Sequence, residues 1–85
     1  MNKKVAYKVE MIEYKAGWGS RVDEMLYFSN EEDAKSFVVK YNKKCNNNSS
    51  TIPDWYIFAR FAGECIVPDY VNLFNSVEST GFNLN

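Results

Sequence analysis

The chain has 85 residues, 10 basic and 11 acidic side chains, two cysteines and no histidine. That length fits one small domain with an expected radius of gyration of about 12 Å. The missing histidine removes the commonest general base, the commonest metal ligand and every histidine-dependent nucleophilic triad.

The apolar fraction is 46% and the charged fraction 25%, which is globular usage rather than disorder. Aromatic residues make up 16%, enough either to build a core in a short chain or to supply binding anchors. No apolar run approaches the roughly 18 residues of a membrane span. Met1-Asn2-Lys3-Lys4 leads into alternation rather than an apolar signal core, so a cytoplasmic location is expected. Cys45 and Cys65 are too few for a disulfide framework and, without histidine, do not make a zinc site. Both are expected to be free thiols. The net charge is −1, but residues 1–44 carry nine basic and seven acidic groups, whereas residues 45–85 carry Arg60 against Asp54, Glu64, Asp69 and Glu78.

Lys3 to Lys15 alternates, with Val5, Tyr7, Val9 and Met11 on one side and Ala6, Lys8, Glu10, Ile12 and Tyr14 on the other. Period two with β-branched and aromatic residues predicts a strand. Two glycines in Gly17-Trp18-Gly19 predict a hairpin turn. Arg21 to Phe28 alternates again, with Val22, Glu24, Leu26 and Phe28 set against Arg21, Asp23, Met25 and Tyr27. Ser29-Asn30-Glu31-Glu32 reads as a capping box, and Ala34, Phe37, Val38 and Tyr41 follow at helical spacing. Acidic residues open this helix and Lys40, Lys43 and Lys44 close it, in keeping with the helix dipole.

A polar loop over 45–54 contains Asn-x-Ser sequons, without meaning in a cytoplasmic protein, and ends at Pro53. Trp55 to Ala62 predicts a third strand, apolar on both faces and therefore central or covered on both sides. Pro68-Asp69 predicts a short second helix, with Tyr70, Leu73, Phe74 and Val77 at helical spacing and Gly81 just past its end. The expected fold is α+β, ordered β-β-α-β-α: a three-stranded, antiparallel-rich sheet of order 2-1-3. One main helix covers Val9, Leu26 and Phe28, and the short C-terminal helix covers part of the other face or an edge.

Catalytic motifs fail on context. Gly17-Trp18-Gly19 lacks the following glycine and helix of a dinucleotide fingerprint. Pro53-Asp54 and Pro68-Asp69 lack the downstream acidic-x-Lys that a metal-dependent nuclease needs, because no lysine follows Lys44. Asp23 and Glu24 are adjacent on a strand and face opposite sides, so they cannot act as paired carboxylates. No enzyme, metal or cofactor is expected.

The second sheet face is the candidate binding surface: Lys8, Tyr14, Met25, Tyr27, Tyr56, Phe58 and Arg60, with Ile12 among them. Aromatics with Met and Arg match interface composition if the face is open; a second core results if the C-terminal helix covers it. An open face suits a protein partner or a second copy of the chain. It also suits unpaired RNA bases, with Lys8 and Arg60 on phosphate. Trp18 at the hairpin tip is a further anchor, either folded back or presented outward. Lys40, Lys43 and Lys44 form a solvated helix end, or join Lys3 and Lys4 in a phosphate-attracting patch if the strand start lies nearby.

The run Tyr27-Phe28-Ser29-x-Glu31-Glu32-x-Ala34-x-x-Phe37 with Tyr41-Asn42, then Pro53-Asp54-Trp55-Tyr56, resembles a pattern in small accessory proteins of T4-like bacteriophages. The resemblance spans about residues 17–60 and rests on structural motifs, so it carries over no functional residue. It implies a phage counter-defence protein, acting in the host cytoplasm, that neutralises a host or defence protein by contact. One such target is the endoribonuclease of a type III toxin–antitoxin system, which involves RNA.

Overall fold

The structure, a computed structural model, describes residues 2–45 and 55–82. Strands β1 (Lys3–Lys15), β2 (Gly19–Phe28) and β3 (Trp55–Pro68) form one sheet, with helix α1 (Glu31–Cys45) between β2 and β3 in the chain. The sheet order is β2-β1-β3 and both pairings are antiparallel, as the alternation predicts. The polar loop, its sequons and Pro53 lie outside the described residues.

The hairpin turns through Gly17 and Gly19, both at φ +85°, where a side chain would be strained. The Trp18 amide donates to the Lys15 carbonyl at 2.9 Å across the turn. β3 extends six residues beyond the expected Ala62, because the bulge at Ala62-Gly63 lets pairing resume as far as Lys3 opposite Pro68. Gly63 takes φ +96° there, which suits glycine at a bulge. β3 is not central as its two apolar faces suggest. It is an edge strand, and β1 is the one flanked on both sides.

α1 starts one residue later than the predicted box. Asn30, rather than Ser29, caps it: the Asp33 amide donates to Asn30 Oδ1 at 2.8 Å, and Asn30 Nδ2 donates to Asp33 Oδ2 at 2.6 Å. The Ser29 amide is instead directed at the Phe74 carbonyl, at 2.8 Å. The predicted helical face packs inward. Ala34 and Phe37 are buried against Val9, Met11, Leu26, Phe28 and Ala59, with Val38 and Tyr41 alongside.

The segment after Pro68 is not the expected helix. Among its described residues the helical content is a single 3-10 turn at Glu78–Thr80. The reason lies in Phe74, whose backbone is claimed by the β2 edge. Its amide donates to the Tyr27 carbonyl at 2.8 Å, while its carbonyl accepts from Ser29. A strand-like residue at that point interrupts any helix from 70 to 77. The apolar side chains still reach the core. Phe74 packs on Phe28 at 5.7 Å, Val77 is buried, and Phe82 lies edge-on to Phe37 at 5.4 Å. α1 lies chiefly over β3. The C-terminal segment completes the same side next to β2, so one face of the sheet is covered by helix and strap together.

The radius of gyration is 14.0 Å, above the 12 Å or so expected for this length, with extents of 47 × 29 × 18 Å. β2 has no buried residue from Gly19 to Met25, so this part of the strand flanks the sheet without entering the core.

Candidate functional site

Residues paired across an antiparallel ladder share a face. The registers therefore assemble the second face in rows. Lys8 lies between Tyr27 and Gly63, and Glu10 between Met25 and Arg60. Ile12 lies between Val22 and Phe58, and Tyr14 between Ser20 and Tyr56. Seven of the predicted residues thus stand together: Lys8, Tyr14, Met25, Tyr27, Tyr56, Phe58 and Arg60.

The face has an aromatic end. The Tyr14 and Tyr56 rings are 5.1 Å apart and the Tyr56 and Phe58 rings 5.8 Å apart, both pairs tilted. Ile12 beneath them is 4% exposed. Tyr14, Tyr27, Tyr56 and Phe58 are half-buried, and Met25 is exposed. The Tyr27 hydroxyl donates to Met25 Sδ at 3.5 Å.

Two members of the face lie outside the predicted binding set. A bulge at Asp23 shifts the register between Met11 and Ile12, and so moves Val22 from the helix side to the side of Ile12. Glu10 is the other. Its carboxylate accepts from Arg60 Nε at 3.1 Å, and Arg60 Nη2 contacts the same oxygen. Arg60 is thus held by an acidic neighbour rather than standing free for a phosphate. The even position of Glu10 on β1, with arginine on a facing strand, was the available signal.

Among the described residues no second helix lies over this face. One end is covered all the same. Ala6 is fully buried and Val67 is 6% exposed, whereas Val5 and Ile66 on the opposite side are exposed. At the start of β1 the sheet is therefore shielded on the side away from α1. The chain leaving Pro68 lies at that end, its Asp69 amide donating to the Asn2 carbonyl at 3.0 Å. Cys65, opposite Ala6, is a half-buried free thiol.

Trp18 is presented outward, 84% exposed. It borders a hollow with Glu13, Lys15, Gly19, Ser20 and Arg21. Glu13 and Lys15 sit on the face opposite Tyr14, whereas Ser20 is in the row of Tyr14, so the hollow lies at the hairpin end and is lined from both faces. Arg21 Nε donates to Glu13 Oε1 at 2.8 Å in the wall of that hollow.

The basic groups do not form one patch. Asn42, near the end of α1, is bonded to Ala59, which pairs with Met11. Lys3 and Lys4 are seven or eight strand positions away, about 25 Å along β1. Lys40, Lys43 and Lys44 therefore belong to a separate region from Lys3 and Lys4. Among the described residues no group of acidic or cysteine side chains is placed to hold a metal ion. No helix among them is long and apolar enough to cross a membrane. No family model, curated protein or solved structure matches the chain.

Proposed function

We propose that the chain is a non-enzymatic binding protein that inhibits a host or anti-phage defence protein by direct contact through the second sheet face. The resemblance to accessory proteins of T4-like bacteriophages suggests a target such as a toxin–antitoxin endoribonuclease, met in the host cytoplasm. The observation that carries the reading is the half-exposed aromatic set Tyr14, Tyr27, Tyr56 and Phe58, gathered beside Met25 and Arg60 with no helix among the described residues lying over it. Aromatic and arginine groups around a partly desolvated centre are the composition of interface hot spots.

The test is capture from bacterial lysate on immobilised protein, with and without nuclease, comparing wild type with Tyr27→Ala, Phe58→Ala and Trp18→Ala. A nuclease-resistant partner, lost in the folded Tyr27 and Phe58 variants, supports the reading. Retention of the partner by both folded variants removes it. Single-stranded RNA is the second reading, favoured by Lys8, which stands on this face with only Gly63 beside it on β3. Nuclease-sensitive capture supports that reading instead.

A further inference from the structure

β2 is a terminal strand of the sheet, and the Tyr27 carbonyl shows which way its free edge points, because it accepts from Phe74 outside the ladder. Antiparallel alternation then turns the backbone groups of Met25, Val22 and Ser20 outward as well. Phe74 occupies only the Tyr27 end, so among the described residues these groups have no strand beside them. Every residue from Gly19 to Met25 is exposed. An unpaired edge of this length is a template for strand addition, and Phe74 shows that this edge accepts one residue of it already.

The side chains along the edge define what fits. Met25 and Val22 lie on the aromatic face, in the rows of Glu10 and Ile12. Glu24 lies on the opposite side, paired with Met11, with Asp23 next to it at the bulge. Neither Asp23 nor Glu24 has an ion-pair partner among the described residues, and Arg21 is engaged by Glu13. A second copy of β2 would set these carboxylates against their own kind, so self-pairing is disfavoured.

We infer that the outer edge of β2 between Ser20 and Met25 receives an extended partner segment of alternating apolar and basic residues, added as a strand beyond β2. Its apolar side chains continue the aromatic face past Met25 and Val22. Its basic side chains meet Asp23 and Glu24. This inference rests on the partner-binding reading above and specifies the segment the partner supplies.

The probes are two capped hexapeptides, one alternating lysine and valine, the other glutamate and valine, titrated into labelled protein and followed by amide NMR and hydrogen exchange. The lysine–valine peptide is expected to slow exchange at Val22 and Met25 at least tenfold at saturation. It should bind at least tenfold more weakly to the double variant Asp23→Lys, Glu24→Lys, and the glutamate–valine peptide should leave the edge unchanged. Equal effects of the two peptides, or edge amides that exchange as fast with peptide as without, overturn the inference. A captured partner lost with Phe58→Ala but kept by the double lysine variant overturns the edge inference alone. A partner that tolerates both sets of changes overturns the partner-binding reading as well.

Discussion

The side-chain amide of Asn42 takes the place of a strand beside Ala59. Asn42 Oδ1 accepts from the Ala59 amide at 2.8 Å, and Asn42 Nδ2 donates to the Ala59 carbonyl at 2.9 Å. The helix thereby closes the β3 edge at one residue and anchors its own last turns to the sheet. Asn42→Ala leaves both backbone groups without this partner and is expected to cost about 1–3 kcal/mol. Asn42→Asp should not rescue it, since a carboxylate has no donor for the carbonyl. Urea denaturation measures the loss, and light scattering should show increased self-association as the edge opens.

The capping shift from Ser29 to Asn30 separates two neighbouring residues experimentally. Asn30→Ala removes the acceptor for the Asp33 amide and should destabilise by about 1 kcal/mol. Ser29→Ala keeps the backbone bond to Phe74 and should stay within about 0.5 kcal/mol of wild type. Equal effects of the two substitutions in chemical denaturation would contradict the assignment.

Phe28 and Phe37 are fully buried, with ring centroids 5.6 Å apart, at the junction of sheet, helix and C-terminal segment. Truncating either to alanine should cost about 3–5 kcal/mol. For a domain of this size that is a large share of a total near 4–13 kcal/mol. Circular dichroism should show both variants substantially unfolded on mild heating. Phe82→Ala removes only a half-buried ring and should shift the transition less.

Glu10 and Arg60 connect stability to the second reading of function. The Glu10 side chain is 12% exposed and the Arg60 side chain 59%, so the pair is partly screened by solvent. A double-mutant cycle on Glu10→Gln and Arg60→Gln should give a coupling below about 1 kcal/mol. Glu10→Gln also leaves Arg60 uncompensated on a face that carries Lys8. If the face binds single strands, oligothymidylate affinity should rise in this variant and its salt dependence should steepen. Fluorescence anisotropy at two salt concentrations reads both.

Much of the fold is legible in the sequence because the signals are local and agree. Alternation marks β1 and β2, paired glycines mark their turn, and the Ala34–Phe37–Val38–Tyr41 stripe marks α1. The misses are non-local. The apolar spacing of Tyr70, Leu73, Phe74 and Val77 mimics a helix, but the partner that captures Phe74 is Tyr27, 47 positions earlier. The face of Val22 depends on a bulge, and one extra residue inverts a period-two argument. The aromatic rows were readable from parity on β1 and β3 alone. Whether anything covers them was not, because that depends on the path of the segment after Pro68.

The ladder between β1 and β3 joins the first strand of the sheet to the last, from Lys15 opposite Trp55 to Lys3 opposite Pro68. Its closest pair is 40 positions apart and its farthest 65. During synthesis, the β1–β2 hairpin and α1 emerge long before the strand that completes the sheet, and Phe82 seals the core later still. The domain therefore has little to gain from folding piecemeal on the ribosome. It should fold slowly for its size, because the loops that close this ladder must form before its contacts reward them.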